Sequence, residues 1–494
     1  MNKLSPEIYS QIASYLYIQP APSWPPVPKP PFVPYAAISR QWQHVCEAEA
    51  FSSIFLKSSE LSQFATVFAT SRRRLILGKI EYDVLLPTYG ESRSDHKANI
   101  KAFTGAVRAL LELLKTWETD PHMIEGRRGR AITLLIHVDE NVDSNFAAPL
   151  RTPLRWLRFV DSAPPLPVVE DIVSLYIPIL GRPLHPATSL EIAGAVPALE
   201  LLNLEVIEPH LRMENMRKAH RSAFARGLAK LRLPRLADLR IYQDSTEPYN
   251  HSFRCANVEE DGVDLLSDAL RTFTQSCPAL KTMELEGLSI SPALLVDPRP
   301  QAGSAPGSWP SLEKLHIIAT RVAPSGDWYY TGDPNAIEPG HEDLHSNSDH
   351  SSSEGLTESS KDSESSDEDQ PSTSVRNGVR PTHMWRTMPD PKTFNPLALA
   401  LATAVLHMPK IKHMEFEMAM WLSEFVGVQL ECFEVGQMSK TSLLMPAEPE
   451  AGSVRRWKAW VGQDSQWEVP DEVTACWREW LGYKGSICVG QWPE

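Results

Sequence analysis

The chain has 494 residues, 42% of them apolar, which is long enough for several domains or a solenoid rather than one simple core. Its net charge of -14 gathers between Glu338 and Asp369, where 11 acidic residues meet one lysine, so the rest of the surface is nearly balanced. No basic stripe interleaved with aromatics suits nucleic acid. No cysteine pair has the CxxC spacing of structural zinc, and the six cysteines do not form a disulfide framework. No apolar run is long enough to span a bilayer, which excludes a membrane helix and predicts a cytoplasmic or nuclear protein.

At the N-terminus, Ser5 suits an N-cap with Pro6 at the first helical position, where its missing N–H costs nothing. Leu4, Ile8, Ile12 and Leu16 then share one helical face. Residues 17–34 interrupt this pattern with eight prolines from Pro20 to Pro34, predicting polyproline-like or irregular chain. Tyr35, Ile38, Trp42 and Val45 mark a second amphipathic segment. Two such short helices cannot bury both faces by themselves. Each fully buried Leu or Ile contributes roughly 1.5–3 kcal/mol, so these faces call for a partner or for the following domain.

The run Leu4-Ser5-Pro6-Glu7-Ile8, continued by Ile12 and Leu16 and resumed as Tyr35-Ala36-Ala37-Ile38-Ser39-Arg40-Gln41-Trp42, resembles an F-box. The resemblance implies a docking module in which Leu4, Pro6, Ile8, Ile12, Leu16, Ile38 and Trp42 bind a Skp-type adaptor and, through it, a cullin and a RING subunit. It departs from the family's pattern at Ser5, where a Leu-Pro pair usually has its proline, and in the insertion. The alternative reading of these helices is a plain cap on the following fold.

Beyond residue 60, Ile100, Phe103, Val107, Leu110, Leu111, Leu114 and Trp117 predict a strongly amphipathic helix, and Ile132 to Val138 a strand. One phrase then recurs: proline, any, Leu/Ile, any, any, Leu/Met, any, aliphatic or aromatic. It starts at Pro197, Pro234, Pro278, Pro310 and Pro409, with looser copies at Leu154/Leu157/Phe159 and Ile172/Leu175/Ile177. Helical patterns precede it, as at Val263, Leu266, Leu270, Phe273 and Cys277, and at Leu397 to Met408. Each unit therefore reads as helix, proline break, short strand. This is the L-x-x-L-x-L strand of a leucine-rich repeat, without the asparagine that usually follows: Ile207, Asp244, Leu288 and Thr320 stand there instead.

His341-Glu342-Asp343-Leu344-His345, with His350 nearby, fits the His-Glu-x-x-His pattern of zinc proteases. That chemistry needs both imidazoles on one rigid helix face, and a run of Ser, Glu and Asp after Pro339-Gly340 cannot order itself into one. The match is coincidental. The tract reads first as a solvating loop, although Ser346, Ser351, Ser359, Ser365 and Ser366 each stand three residues before an acidic residue, which suits an acidophilic kinase. Six of the 14 tryptophans, Trp457, Trp460, Trp467, Trp477, Trp480 and Trp492, follow Arg456 and are read mainly as a cap. A short helix within Val469 to Leu481 and a strand at Ile487 to Val489 are expected among them.

The predicted architecture is α/β: an N-terminal helical F-box followed by an irregular leucine-rich-repeat-like solenoid with a Trp-rich C-terminal cap. Its parts are an F-box-like module (1–60), bridging helices and first atypical units (61–150) and the solenoid (151–335). A disordered acidic insertion (336–380), final repeats (381–450) and the cap (451–494) follow. The order also resembles fungal F-box domain-containing proteins. The resemblance implies a non-catalytic substrate-recognition subunit of an SCF-type ubiquitin ligase, with no cofactor or metal, holding an unknown protein target on its repeats. The alternative is a leucine-rich-repeat interaction scaffold without ligase function.

Overall fold

A computed structural model of the chain describes residues 8–9, 11–12, 33–87, 92–120, 131–139, 156–179, 181–299, 307–337, 373–420, 423–437, 453–462 and 465–491. The chain divides into two compact units, Met1–Val206 with Leu231–Leu239, and Ile207–Lys230 with Arg240–Glu494. Each is mixed α/β on a mostly parallel sheet. Among the described residues, no helix is long and apolar enough to cross a membrane.

In the first unit, Ile8, Tyr9, Gln11 and Ile12 are helical. There follow α1 (Val33–Ala36), α2 (Arg40–Ser52), β1 (Ser53–Lys57), α3 (Leu61–Val67), α4 (Ser71–Ile76), β2 (Lys79–Leu85) and α5 (Arg93–Glu118). The unit continues with β3 (Ile132–Asp139), β4 (Ile172–Ile177), α6 (Pro186–Gly194) and β5 (Leu201–Ile207). The strands pair in chain order and all in parallel. Helix α5 starts where a capping box stops the chain from fraying: Ser92 Oγ accepts from Asp95 N (3.1 Å), and Ser92 N donates to Asp95 Oδ2 (3.3 Å). Its Ile100, Phe103, Val107, Leu110, Leu111, Leu114 and Trp117 are all buried, as are Ile80, Tyr82 and Val84 of β2. Two of the polar groups this layer buries are served by backbone carbonyls: Tyr82 Oη donates to Ala106 O at 3.0 Å and Thr104 Oγ1 to Ile100 O at 2.7 Å.

Two expectations fail here. The copy at Leu154/Leu157/Phe159 forms no strand: Leu154 lies outside the described residues, and Leu157 makes only an isolated bridge to Leu184. Leu157 N donates to Pro183 O (2.9 Å) and its carbonyl accepts from His185 N (2.8 Å), after which Pro164, Pro165 and Pro167 withhold the donors a ladder needs. The second N-terminal segment is also not one continuous helix. Val33 and Pro34, at the end of the proline-rich stretch, already open α1, with Pro34 in its first turn. Ile38 sits in a turn, and Ser39 starts α2 by accepting from Trp42 N at 3.3 Å.

The second unit carries α7 (Glu214–Lys230), β6 (Asp238–Asp244, entering from Arg240), α8 (Leu265–Gln275), β7 (Thr282–Leu288), β8 (Lys314–Ala319) and β9 (Tyr330–Thr331). It continues with α9 (Thr373–Arg376), β10 (Met388–Pro389), α10 (Phe394–Leu406), β11 (His413–Met420), β12 (Ser423–Phe433), β13 (Arg456–Val461), α11 (Asp471–Leu481) and β14 (Ser486–Gln491). Its sheet order is β6-β7-β8-β11-β12-β13-β14. β7, β8 and β11 run parallel, whereas β12 turns back antiparallel to both β11 and β13, and β14 pairs parallel with β13. The phrases starting at Pro197, Pro234, Pro278, Pro310 and Pro409 each lead into a strand, β5 to β8 and β11. The two antiparallel returns were not expected.

One face of this sheet is the core: Met283, Leu285, Leu315, Ile317, Met414, Phe416, Leu430 and Cys432 are buried, as are Leu266, Leu270 and Phe273 of α8 and Leu397, Leu401 and Val405 of α10. A buried ion pair joins α7 to α8. Arg221 Nη2 donates to Asp264 Oδ1 (2.6 Å) while Ser291 Oγ donates to Asp264 Oδ2 (2.8 Å). Burial alone would raise the Asp264 carboxyl. The Arg221 guanidinium and the Ser267 and Ser291 hydrogen bonds instead hold it below its usual range. In β7 the register shifts at Gly287, whose φ of +71° and overlap of any Cβ with the Gln243 carbonyl oxygen admit only glycine. At the end of the chain the indoles of Trp457 and Trp477 stack at 4.8 Å, and both are fully buried.

Candidate functional site

The N-terminal residues are held on one side and open on the other. Helix α2 is anchored by Glu47, which meets Arg72 and Arg73 of α4 at 3.1 Å each, and by the Arg73 guanidinium lying 4.9 Å over the Phe51 ring. Tyr9 is buried and meets the Trp42 indole edge-on at 5.5 Å, and Tyr35 flanks the same indole at 6.2 Å. Around this aromatic brace stand large apolar side chains that keep a substantial exposed surface: Ile8 is 41% exposed, Ile12 36%, Tyr35 38% and Ile38 60%. Four such residues within two short segments form the kind of apolar patch that marks an interaction surface.

Of the residues that the F-box resemblance singled out, Ile8, Ile12 and Ile38 belong to this open surface. Trp42 is half-buried and braces it. Leu4, Pro6 and Leu16 lie outside the described residues. So do Ser346, Ser351, Ser359, Ser365 and Ser366, and the histidines of the protease-like pentapeptide. Tyr9 was missed as the anchor, because the four-residue spacing of Ile8 and Ile12 drew attention to the neighbouring face.

A second surface lies on the sheet of the second unit, on the face opposite its core. Strand alternation and register bring Glu284, His316, Glu415, Glu431 and Lys458 into one row across β7, β8, β11, β12 and β13. Glu286, Ile318, Glu417 and Gln429 form the next row. Gln429 Nε2 donates to Glu415 Oε1 at 2.9 Å, His316 Nε2 lies 3.9 Å from Glu415 Oε2, and His413 Nε2 lies 3.6 Å from Glu431 Oε1. The His413 ring is fixed by stacking on Phe433 at 4.7 Å. His413, Glu415 and Glu431 place their ligand atoms within 4.8 Å of one another, a donor set of the kind that accepts a cation. Burial, and then the neighbouring Glu415, push the Glu417 carboxyl upward. Sequence reasoning missed this surface. The alternation of His413, Glu415 and Glu417 with Met414, Phe416 and Met418 was the available signal.

A third concavity, about 600 Å³, is lined by Ser252, Arg254, Trp328, Arg386, Asp390 and Lys392 among others. Its central groups already face inward. Arg386 Nε donates to His251 O (2.9 Å) and Nη1 to Tyr330 O (3.1 Å), while its plane lies 4.1 Å from the Trp385 ring. Arg321 binds Glu247 Oε2 through Nε and Nη2 at 3.0 and 2.9 Å. His251 is fully buried, and burial, then Arg321 and Arg386, push its imidazole down to about 3. This knot of hydrogen bonds ties the 247–254, 321–330 and 385–390 segments together.

No family model matches the chain, and no curated protein or solved structure matches it.

Proposed function

We propose that the protein is a non-catalytic substrate receptor of an SCF-type cullin–RING ubiquitin ligase. The N-terminal patch binds a Skp-type adaptor, and through it a cullin. The repeat-like strands, read as an irregular leucine-rich-repeat array, hold a protein target on their polar face. The observation that supports this reading is the exposure of Ile8, Ile12 and Ile38, which the F-box resemblance assigns to adaptor contact, together with Tyr35, around the Tyr9–Trp42 brace. A helical cap would turn these side chains inward.

The mechanism is proximity. Two binding surfaces on one chain convert the encounter of target lysines with the charged ubiquitin carrier into an intramolecular event, at an effective concentration that can reach the millimolar range (~1 mM for short flexible connections). The transfer chemistry belongs to other subunits.

The test is co-purification with a Skp adaptor, comparing wild type with Ile8→Asp. Because Ile8 is exposed, the substitution leaves the fold intact. A stoichiometric complex that the variant loses supports the receptor. A well-folded wild type that captures no adaptor refutes it and leaves an interaction scaffold.

A further inference from the structure

We propose that the free edge of the second unit's sheet, strand β14, pairs antiparallel with β14 of a second copy of this chain across a two-fold axis at Val489. The sheet then runs unbroken through two molecules.

Three observations carry it. The first is what the edge offers. Strand β14 ends its sheet and pairs only with β13, in an unshifted parallel register from Arg456↔Ser486 to Val461↔Gln491. Ser486 N donates to Arg455 O at 3.0 Å, so Ser486 turns its backbone groups toward β13, and by the alternation of a parallel ladder so do Cys488 and Gly490. The N–H and C=O groups of Ile487, Val489 and Gln491 point the other way, where no strand among the described residues meets them. The second is what the edge lacks. Ser486-Ile487-Cys488-Val489-Gly490-Gln491 has no charge, no proline and no bulge, the devices that keep sheet edges from pairing. Strand β1, the edge strand of the first unit, carries Lys57. A two-fold axis brings like side chains together, and an uncharged strand meets itself without repulsion.

The third is the fit. Ile487 and Val489 stand level with Trp457 and Ala459, fully buried residues on the core side of β13, yet Val489 is 54% exposed. The core face thus continues to the rim of the sheet and ends in an open valine. A two-fold at Val489 matches every outward residue: Val489 meets Val489 of the second copy, Ile487 meets Gln491, and Gln491 meets Ile487. Each pair exchanges both backbone bonds, about six in all. Opposite residues of an antiparallel pair share a face, so the two valines cover each other. Moving the axis by one residue leaves Ile487 or Gln491 unmatched. A strand of another protein could satisfy the same backbone groups, but the match of this edge to itself favours the copy. An interface built on two such short strands is small, so the dimer is transient and depends on concentration.

The experiment is sedimentation equilibrium of the full chain from about 2 to about 200 µM, a range in which a small interface associates by mass action. The average mass should rise from one chain toward two and no further. Val489→Lys sets two ammonium groups on the axis and should weaken association at least tenfold, with an unchanged unfolding midpoint because the side chain it replaces is exposed. Val489→Pro deletes an outward N–H and no bond to β13, and should act in the same way. Should either variant lose its fold, oxidation reads the register instead. Val489→Cys in a Cys488→Ser background should form an intermolecular disulfide, because its Cα atoms face each other about 5.5 Å apart. The native Cys488, set about 8 Å from its copy, should not. A mass that stays at one chain throughout overturns the inference. So does a dimer that Val489→Lys leaves intact, or a Val489→Cys chain that does not cross-link. Growth beyond two chains means head-to-tail pairing with another edge and overturns the closed two-fold.

Discussion

Residues 8–42 and residues 456–481 are both rich in large apolar side chains, and they use them in opposite ways. Near the N-terminus, Ile8, Ile12, Tyr35 and Ile38 face outward around the Tyr9–Trp42 contact. Near the C-terminus, Trp457, Trp477 and Trp480 turn inward, Trp457 stacks on Trp477, and Trp467 Nε1 donates to Asn395 Oδ1 at 3.0 Å. The difference is one of available cover. Helix α11 and strand β13 supply apolar surface to each other, whereas the short N-terminal helices spend their inner faces on one aromatic contact and on the anchorage of α2. Apolar content in a sequence is therefore not evidence for docking until its burial is known.

The largest expected effect lies in the covered region. Trp477→Ala removes a fully buried indole and should cost about 3–5 kcal/mol in denaturant unfolding. A loss below about 1 kcal/mol would mean that the tryptophans do not close the core. Next comes a buried polar group, which separates apolar cover from charge. His251 is held neutral, with its imidazole pushed down to about 3, so the native state binds fewer protons than the unfolded state below about pH 6.5. Its contribution is complete above that pH and is lost as pH falls toward 3, by about 2 kcal/mol at pH 5. Unfolding midpoints at pH 7 and 5 should diverge more in wild type than in His251→Asn, and equal divergence would contradict the assignment.

Ile38→Asp reverses the pattern. It should change stability by no more than about 0.5 kcal/mol, because the side chain is already in water, yet abolish adaptor capture. Global destabilisation would show that the patch is covered in solution. The smallest effect is expected at Tyr483, which is 92% exposed beside the tryptophan cluster. Tyr483→Ser should leave both the unfolding midpoint and adaptor capture unchanged, and a clear shift in either would blur the boundary drawn between the two regions.

Local pattern made much of the fold legible. The 3.6-residue spacing from Ile100 to Trp117 corresponds to α5, the five proline-led phrases fall at β5 to β8 and β11, and the 469–481 helix and 487–489 strand match α11 and β14 within a few residues. Local pattern failed where structure depends on distant pairing. The copy at 154–159 has the right leucine spacing, yet Leu157 finds only an isolated bridge to Leu184, and β1 gains its identity from pairing with β2, as β2 does from β1 and β3. The candidate surfaces divide in the same way. Ile8, Ile12 and Ile38 could be named from spacing, because a short amphipathic face is a local property. The acidic rows could not, because His316 and Glu415 become neighbours only through the pairing of β8 with β11, nearly a hundred residues apart.

The most direct test of the central claim is calorimetric titration of a purified Skp adaptor into the full chain, alongside Ile8→Asp and Ile38→Asp. The account predicts one-to-one binding by wild type and none by either variant, with all three unfolding at the same midpoint. Equal binding by wild type and both variants, or no binding by a well-folded wild type, would contradict it.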